Sequence, residues 1–511
     1  MPPGLYRLGV VCIAFILGCA SEPVEPQGAQ APVDTQSWLV QCESSLKPRV
    51  APGEEPETAV AKGWIAARTP DDYEIKVYGD LDDGFVQVSD IVSDDPDWRL
   101  DKQQPYAQLR KVCRQTLGAR RDGELYRPGL VRTSHTELGV YTSLVFDDWA
   151  ERDQVTRLIV FGDSLSDTGG LRRRLKVAPR QPYWVGRFAN GPVWTDYLEV
   201  SADLALQNHS RGGAMAAQRE PMSSEELIQR LYTGGQFLVS GSITNQIEQY
   251  SENYLGDDGL THGDGSVAVL WGGANDYISK EAFDTSISLF LSEPHSEDGY
   301  RNVVSNVANA LEGNLVQLRD LGLRRILVIN LPNLGQTPMV LHNDSFMVAR
   351  NYPDEATRLV ELSSRLAELT RWHNQALLEM LERFRAYSPE VEVVLMDANT
   401  VFNEVIDPNI GGRLMGFDLD SSRVELDGGD SELAIQDRCY SGMSLGLFAP
   451  SSSVCQQASR TVFWDLVHPS TYFHCWMAYA IGNEFHSQGW TGPMWPMEEQ
   501  REWCAMIADA Y

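Results

Sequence analysis

The feature that most constrains the fold of this chain is an alternation of short aliphatic runs with amphipathic stretches, which begins near residue 155. Four runs have the length of buried strands and lie at 157–161, 267–271, 325–331 and 391–396. Between them, apolar residues recur every three or four positions, as in Val304, Val307, Leu311, Leu315 and Leu318, and again in Leu359, Leu362, Leu366, Leu369, Ala376 and Met380. Alternating strands and helices predict an α/β domain whose parallel sheet is covered by helices on both faces.

The first of these strands ends in a turn that presents a serine. Residues 157–170 read Arg-Leu-Ile-Val-Phe-Gly-Asp-Ser-Leu-Ser-Asp-Thr-Gly-Gly, so Ser164 stands where the strand has ended and the next helix begins. A serine there places its hydroxyl and its backbone N–H at the positive end of a helix dipole. One residue then supplies both an attacking oxygen and a donor to an oxyanion. Taken alone, the stretch is explained equally well by an ordinary Ser or Asp helix cap.

Three further segments carry residues typical of the same chemistry. Residues 208–214 place Gly212 where a backbone approaches a ligand closely, and the strand at 267–271 is followed by Gly-Gly-Ala and Asn275, whose amide can donate to an oxyanion. Asp465 stands three residues before His468, a spacing that lets the carboxylate fix the tautomer of the imidazole. Each signal is weak singly, but the four in this order indicate a serine hydrolase.

On these residues the chain resembles the GDSL, or SGNH, hydrolases, over about residues 155–482. Within that family it is most similar to the secreted bacterial branch of thermolabile haemolysins, phospholipases and glycerophospholipid–cholesterol acyltransferases. The similarity to this branch is carried by residues 186–197, Gly-Arg-Phe-Ala-Asn-Gly-Pro-Val-Trp-Thr-Asp-Tyr, and the likeness to the haemolysins extends upstream into residues 109–117. Some members of the branch lack the acidic partner of the histidine, whereas this chain keeps Asp465.

The resemblance implies a flavodoxin-like three-layer fold and a serine esterase that needs no cofactor and no metal. Its catalytic residues would be Ser164, Asp465 and His468. Its oxyanion hole would be formed by the N–H groups of Ser164 and Gly212 and by the side-chain amide of Asn275. The acidic residues beside the nucleophile, Asp163 and Asp167, are expected to order its loop rather than to act as bases.

The expected substrate is a carboxylic ester of a lipid, most of all a phospholipid or lysophospholipid, with acyl transfer to an alcohol as a further activity. Side chains of residues 186–197 are able to line an apolar acyl groove. Phe188, Asn190 and Trp194 are therefore candidate substrate-binding residues, although burial in the core explains each aromatic equally well. The alternatives are a carbohydrate acetyl esterase and a non-catalytic surface lipoprotein on the same scaffold.

A second serine motif competes with the first. Residues 442–446 read Gly-Met-Ser-Leu-Gly, which matches the nucleophile elbow of α/β-hydrolases around Ser444. That elbow requires a buried strand before it and a helix after it, and neither pattern flanks this stretch. We interpret it as a chance match. The other histidines, His209, His373 and His474, are expected to pack or to lie in loops.

The balance of charge limits the partners of this protein. The chain has 511 residues and a formal net charge of −29. A charge of that sign argues against binding to nucleic acid and against electrostatic attachment to anionic membranes. The length is sufficient for one large domain and a smaller one.

The N-terminal region indicates export. Residues 8–17 form an apolar run too short to span a bilayer, and Ile16-Leu-Gly-Cys19 resembles a bacterial lipobox. We interpret residues 1–19 as a lipoprotein signal peptide with Cys19 as the lipidated residue, the alternative being a plain cleavable signal. Residues 20–37, rich in Pro, Ala, Gln and Glu, would be a flexible linker. An outer-membrane protein held by its lipid anchor is expected, or otherwise a periplasmic or secreted one.

The remaining chain divides into two parts. Residues 38–152 have short β-like runs between acidic turns and predict a small β-rich accessory domain, whose turns we expect to be solvated rather than to bind calcium. Residues 153–511 form the hydrolase domain, including a Trp-rich C-terminal tail. The oligomeric state is open.

Beyond the signal region the chain contains six cysteines, an even number that predicts three disulfides in an exported protein. Six cysteines allow 15 pairings. Their order in the sequence favours Cys42–Cys113, Cys439–Cys455 and Cys475–Cys504. The absence of CxxC spacing argues against a zinc site.

Overall fold

The computed structural model describes residues 36–43, 64–82, 85–117, 130–132, 141–145, 154–175, 179, 182–184, 186–216, 241–255, 259–260, 263–278, 297–342, 355–421, 423–426, 433–442 and 453–510. The predicted signal peptide with Cys19, the predicted linker apart from its last two residues, and Ser444 lie outside these described residues. Within them, no helix combines the length and the apolar composition needed to cross a bilayer.

The N-terminal part of the chain forms a six-strand sheet. Its strands are β1 (Gln36–Glu43), β2 (Trp64–Ala66), β3 (Ile75–Asp82), β4 (Phe85–Ser93), β5 (Leu130–Arg132) and β6 (Tyr141–Val145), in the order β2-β1-β3-β4-β6-β5. β5 also pairs with β1, so five of the strands close on themselves. The helix α1 (Pro105–Leu117) is tied to β1 by the disulfide Cys42–Cys113.

The second sheet has five parallel strands and confirms the predicted α/β class. They are β7 (Arg157–Gly162), β8 (Ala205–Asn208), β9 (Ser266–Trp271), β10 (Arg325–Ile329) and β11 (Glu392–Met396), in the order β11-β10-β9-β7-β8. The four predicted strands correspond to β7, β9, β10 and β11. β8 was not predicted, because its four residues include two polar ones and make no aliphatic run.

Helices cover both faces of this sheet. They are α2 (Gly170–Leu175), α3 (Trp194–Ser201), α4 (Ile243–Tyr254), α5 (Asn275–Ile278), α6 (Glu297–Asp320), α7 (Glu355–Tyr387), α8 (Ala398–Ile406), α9 (Thr471–Ser487) and α10 (Met497–Ala510). A two-strand ribbon, β12 (Arg423–Leu426) and β13 (Leu433–Gln436), precedes α9. The two predicted apolar stripes are the buried faces of α6 and α7.

The three layers follow from the alternation of side chains along each strand. In β7, Ile159 and Phe161 join the core under α4, α6 and α7, while Leu158 and Val160 join the core under α3, α8, α9 and α10. Every residue of β7 and of β9 is buried, as expected for strands covered on both faces. The core of the N-terminal sheet is continuous with the first of these two layers.

All three disulfides favoured by the order of the cysteines are present. Besides Cys42–Cys113, Cys439–Cys455 closes a loop just before the His468 segment, and Cys475–Cys504 joins α9 to α10. The last bond fixes the C-terminal helix against the domain, and Trp490 near the start of the tail is buried.

Candidate active site

The segments that carry the motifs converge at the carboxyl edge of the parallel sheet. Ser164 follows β7, Asn275 opens α5 after β9, and His468 lies just before Ser470, whose hydroxyl caps α9. Ser164 and Asn275 are each 8% exposed, so they are reachable from outside yet largely screened from water. This is the edge at which parallel α/β sheets bind their ligands.

A continuous chain of hydrogen bonds links the three predicted catalytic side chains. The Nε2 atom of His468 lies 2.8 Å from Ser164 Oγ, and Nδ1 lies 2.7 Å from Asp465 Oδ2. An ionised carboxylate only accepts, so Nδ1 carries the proton and Nε2 accepts the hydrogen bond from the Ser164 hydroxyl. In this arrangement the imidazole is oriented to take the proton of Ser164.

Asp465 is buried but well supplied with donors. The backbone N–H groups of Val467 and His468 donate to its Oδ1 at 2.9 and 2.8 Å, and the Tyr183 hydroxyl donates to its Oδ2 at 2.5 Å. Burial alone would raise the pKa of Asp465, but the interaction with His468 and the hydrogen bonds hold that pKa below its ordinary value. The carboxylate therefore stays ionised at neutral pH. Sequence reasoning missed Tyr183, because no local signal marks a residue 282 positions away as a partner.

Asp167 organises the loop that follows the nucleophile. Its carboxylate accepts hydrogen bonds from the backbone N–H groups of Gly169, Gly170, Leu171 and Gly212, and it has no exposed surface. A carboxylate that collects four N–H donors fixes the backbone around it. The expectation that Asp167 orders the loop agrees with this geometry.

Asp163 is also buried, directly beside Ser164. Burial raises the pKa of Asp163 to about 6, with a further contribution from Asp167, although the Leu165 N–H and the nearby His468 act in the opposite direction. Its Oδ1 accepts from the Leu165 N–H at 3.1 Å, and its Oδ2 lies 3.4 Å from Asn275 Nδ2. Asp163 thus couples the nucleophile turn to the asparagine.

The structure corrects the expectation for Gly212. Its N–H donates to Asp167 Oδ2 at 2.7 Å, which makes it unavailable to an oxyanion. The next residue, Gly213, has a φ of +81° and is partly exposed, and its N–H makes no hydrogen bond to any residue that the structure describes. The geometry therefore favours Gly213 over Gly212 as the second backbone donor. The sequence marks the Gly-Gly pair, but it cannot show which of the two N–H groups bonds to Asp167.

Asn275 is held in place by the same loop. Its Nδ2 donates to the Ala214 carbonyl oxygen at 2.9 Å, and its remaining N–H meets only the long contact to Asp163. Both amide hydrogens thus face protein oxygens, and the longer bond, to Asp163, is the one that a reacting oxygen would replace. The arrangement is suited to stabilising an oxyanion.

The three residues proposed from the sequence to bind substrate are instead buried supports, and this expectation is corrected. Asn190 accepts a hydrogen bond from the Thr471 N–H at 2.8 Å through its Oδ1. Trp194 has no exposed surface, and its indole N–H donates to Ser166 Oγ at 3.0 Å. Phe188 is 4% exposed and lies with its ring centroid 5.0 Å from that of His468. All three are buried, and none of them lines the apolar pocket beside Ser164.

An apolar pocket opens beside Ser164 and His468, with walls that the sequence did not indicate. Its cavity volume is about 50 Å³, and the pocket is partly open to solvent. Its apolar walls include Trp271, Ile278, Leu334, Phe402, Phe463 and Phe473. These side chains come from separate elements, among them β9, α5, α8 and α9, so no short stretch of sequence carries the signal.

His209, His373 and His474 are packing residues. Burial lowers the pKa of His373 to about 4 and that of His474 to about 3, which leaves both rings neutral at physiological pH. His373 Nδ1 lies 2.8 Å from the Tyr277 hydroxyl, and His209 stacks on Phe161. These contacts agree with the packing roles expected for them.

Of the competing motif at residues 442–446, only Gly442 is among the described residues, and local packing explains this glycine. A Cβ on Gly442 would lie 2.1 Å from the Tyr440 hydroxyl oxygen, so close packing accounts for this glycine. The residues before it form isolated bridges with 454 and with the 463 region rather than a strand of the sheet. Ser444 itself lies outside the described residues.

One group of carboxylates in the described residues is close enough to share a cation. Oxygens of Asp71, Asp95 and Asp97 lie within 4.8 Å of one another, next to the N-terminal sheet. Acidic turns form such groups without any ion, and Asp95 is occupied by the N–H of Asp97 at 2.9 Å. The group is remote in sequence from all the motif residues.

Comparison with known proteins adds to this geometry. The profile of the GDSL-like Lipase/Acylhydrolase family matches residues 158–481. The chain is 26% identical, over 66% of its length and 92% of the relative, to a phosphatidylcholine-sterol acyltransferase of Aeromonas hydrophila. It is 21% identical, over 64% of its length and 63% of the relative, to a thermolabile hemolysin of Vibrio parahaemolyticus. Among solved structures, a family two carbohydrate esterase from Clostridium thermocellum matches over 69% of each chain, with 14% identity and a TM-score of 0.26.

The packing of Gly212 gives a testable prediction. A Cβ at this position would lie 2.2 Å from two ring atoms of Phe188, whose ring in turn borders His468. We expect Gly212→Ala to lower stability by about 1–3 kcal/mol through overpacking and to lower kcat, because Phe188 is forced to shift. Thermal melting and ester turnover measure the two effects.

The matched control for this variant is Gly492→Ala. A Cβ at Gly492 would meet nothing within 4 Å, so stability and turnover should stay at wild-type values. A Gly212→Ala protein that melted and turned over like the control would contradict the close packing of Phe188 against this loop.

Proposed function

Because this chain belongs to the GDSL-like lipase/acylhydrolase family, an esterase family, we propose that it hydrolyses carboxylic esters of lipids, with phospholipids and lysophospholipids as its substrates. One observation carries the proposal: the hydrogen-bonded chain from Ser164 through His468 to Asp465 opens directly onto an apolar pocket. The reactive group and an acyl-binding surface are thus adjacent.

The proposed mechanism assigns each residue a step. Ser164 Oγ attacks the ester carbonyl while His468 Nε2 takes its proton, and Asp465 stabilises the imidazolium that forms. The oxyanion is stabilised by the N–H of Ser164, the N–H of Gly213 and the amide of Asn275. His468 then returns the proton to the leaving alcohol as the C–O bond breaks. Water attacks the acyl-enzyme by the same route and releases the fatty acid.

The walls of the pocket favour a lipid acyl chain over an acetyl group. Four aromatic rings and several aliphatic side chains line the space beside Ser164, and such an apolar lining suits an acyl chain. Each buried methylene of a longer chain contributes about 0.8 kcal/mol. The similarity to the phosphatidylcholine-sterol acyltransferase of Aeromonas hydrophila also supports a lipid substrate. A carbohydrate acetyl esterase is the second candidate and has only a weak structural likeness in its favour.

Hydrolysis and acyl transfer share the acyl-enzyme. The same covalent intermediate reacts with water or with an alcohol, and the catalytic groups are identical in the two cases. We therefore include acyl transfer to an alcohol such as a sterol in the proposal. A non-catalytic role is disfavoured, since every side chain of the triad is present and hydrogen-bonded.

We also propose that the mature protein is a lipoprotein of the outer membrane, attached through Cys19. The support is the lipobox-like Ile16-Leu-Gly-Cys19 after an apolar run. Tethering would hold the enzyme where its lipid substrate is concentrated. Mass spectrometry of the mature N-terminus should find diacylglyceryl and acyl groups on Cys19, since stable anchoring takes more than one acyl chain. An unmodified mature N-terminus at another residue would show ordinary secretion instead.

Substitution of the nucleophile tests the catalytic assignment. We expect Ser164→Ala to lose at least about 10⁴-fold in kcat, because no other group in the site can form the acyl-enzyme. Ser444→Ala, the matched control in the competing motif, should keep wild-type turnover. A fluorophosphonate probe followed by peptide mapping should label Ser164 in the wild-type protein. Labelling of Ser444, or full activity of Ser164→Ala, would refute the assignment.

A variant of the pocket tests the lipid proposal. Ile278 is partly exposed and lines the pocket, so Ile278→Trp should shorten the space for an acyl chain. If roughly two to three methylenes are excluded, kcat/KM for a decanoyl ester should fall by about 2 kcal/mol, or about 30-fold, while an acetyl ester is nearly unaffected. Nitrophenyl esters of graded length measure this dependence.

The control for the pocket variant is Leu378→Trp, at an exposed position of α7 that does not line the pocket. Equal losses for all chain lengths in Ile278→Trp would show that the pocket does not hold the acyl chain.

The wild-type protein should release fatty acid from phospholipid or lysophospholipid vesicles. Release of acetate from acetylated sugars without any release from lipids would favour the acetyl esterase.

A further inference from the structure

Tyr183 belongs to none of the sequence motifs, yet its hydroxyl reaches the triad. It is 3% exposed and donates to Asp465 Oδ2 at 2.5 Å. It is not among the residues that line the apolar pocket. A buried phenol in contact with the carboxylate, and away from the space for substrate, points to an effect on Asp465 rather than on binding.

The donors to Asp465 differ in where they come from. Three of them, the N–H groups of Val467 and His468 and the imidazole Nδ1–H, belong to the same short turn as the carboxylate. Among the described residues, Tyr183 is the donor that comes from outside this turn. The turn can hold its own shape through the first three bonds. Its carboxylate is fixed relative to the rest of the protein by the fourth.

The ring of Tyr183 is itself held by aromatic contacts. It meets Tyr440 edge to face at 5.6 Å and Trp464 at 6.3 Å, while Tyr440 and Trp464 stack on each other at 5.4 Å. The backbone N–H of Tyr440 donates to the Trp464 carbonyl oxygen at 2.6 Å, and the adjacent Cys439 is in the disulfide with Cys455. A covalently closed loop therefore supports the tyrosine that contacts Asp465.

We infer that Tyr183 is a positioning residue of the catalytic triad, which acts through Asp465 to hold the carboxylate at His468. This inference rests on the proposed function and adds to it a residue that no motif supplies. Without the hydroxyl, the Oδ2 atom of Asp465 would remain buried with one donor fewer. Its pKa would rise, because a hydrogen bond to the ionised form would be lost. The titratable groups that face this carboxylate are His468 and Tyr183, and Asp163 lies on the Ser164 side of the imidazole.

Tyr183→Phe tests this role, since it removes the hydroxyl and keeps the ring in its aromatic contacts. Loss of a hydrogen bond to a charged group should lower kcat/KM by about 10- to 100-fold. The loss should fall on kcat, with KM within about twofold of wild type, because Tyr183 does not line the pocket. The acid limb of the pH profile of kcat/KM should move to higher pH, because the Asp465–His468 pair has to stay unprotonated and would lose a donor that stabilises its negative charge.

The matched control is Tyr387→Phe, the same substitution at an exposed position of α7, whose hydroxyl also donates to a carboxylate, Oε1 of Glu312 at 2.9 Å, and which does not line the pocket. It should keep the kcat and the pH profile of the wild-type protein. The rate at which a fluorophosphonate probe modifies Ser164 gives a second readout, which does not depend on the choice of ester. Tyr183→Phe should slow this reaction, and Tyr387→Phe should not.

The outcomes separate the inference from the proposed function. If wild-type protein reacts with the probe and Tyr183→Phe reacts equally fast with an unshifted pH profile, the positioning role is refuted and the esterase proposal stands. A lower melting temperature with unchanged kcat per folded molecule would likewise refute it, because a merely structural role predicts that result. If wild-type protein neither reacts with the probe nor turns over any ester, both proposals fall together.

Discussion

The active site depends on the level at which three neighbouring parallel strands end. The register pairs Gly162 of β7 with Trp271 of β9, and Val160 of β7 with Asn208 of β8. The loops with Ser164, Gly213 and Asn275 therefore leave the sheet side by side. Gln246 secures the end of β7, because its side chain bonds both the N–H and the carbonyl oxygen of Gly162, at 2.9 and 2.7 Å. A Cβ on Gly162 would lie 2.4 Å from the Trp271 carbonyl oxygen, so the register also requires a glycine there.

Buried carboxylates then set the shape of the loops. Asp167 joins the nucleophile loop to Gly212, and Asp163 joins it to Asn275. The two have different electrostatic environments. Asp167 is surrounded by backbone N–H donors, whereas for Asp163 burial dominates and raises the pKa. The ionised form of Asp163, which interacts with His468, would favour the imidazolium of the transition state.

The sequence predicted those parts of the fold and the site that have a local signature. Long aliphatic runs identified β7, β9, β10 and β11, whereas the four-residue β8 gave no such run. The serine after its strand and the Asp465–His468 spacing could be read because the chemistry fixes both the residue type and its place on the chain. The sequence could not decide whether Gly212 or Gly213 is the candidate oxyanion donor, because the decision depends on which of the two N–H groups bonds to Asp167. The pocket and Tyr183 escaped prediction because they are formed by residues from distant elements.

Residues 186–197, where the sequence analysis placed candidate substrate-binding residues, and the nearby Tyr183 pack against the catalytic framework. The candidates were expected to contact substrate, but each one bonds or packs against a different part of the catalytic framework. Trp194 reaches Ser166 in the nucleophile loop, and Asn190 reaches the first residue of α9. Phe188 borders the ring of His468, and Tyr183 reaches Asp465. One segment thus packs against both the nucleophile loop and the Asp465–His468 turn, while the side chains that line the apolar pocket come from other elements. Substitutions in this segment should therefore change the rate of chemistry more than the choice of ester.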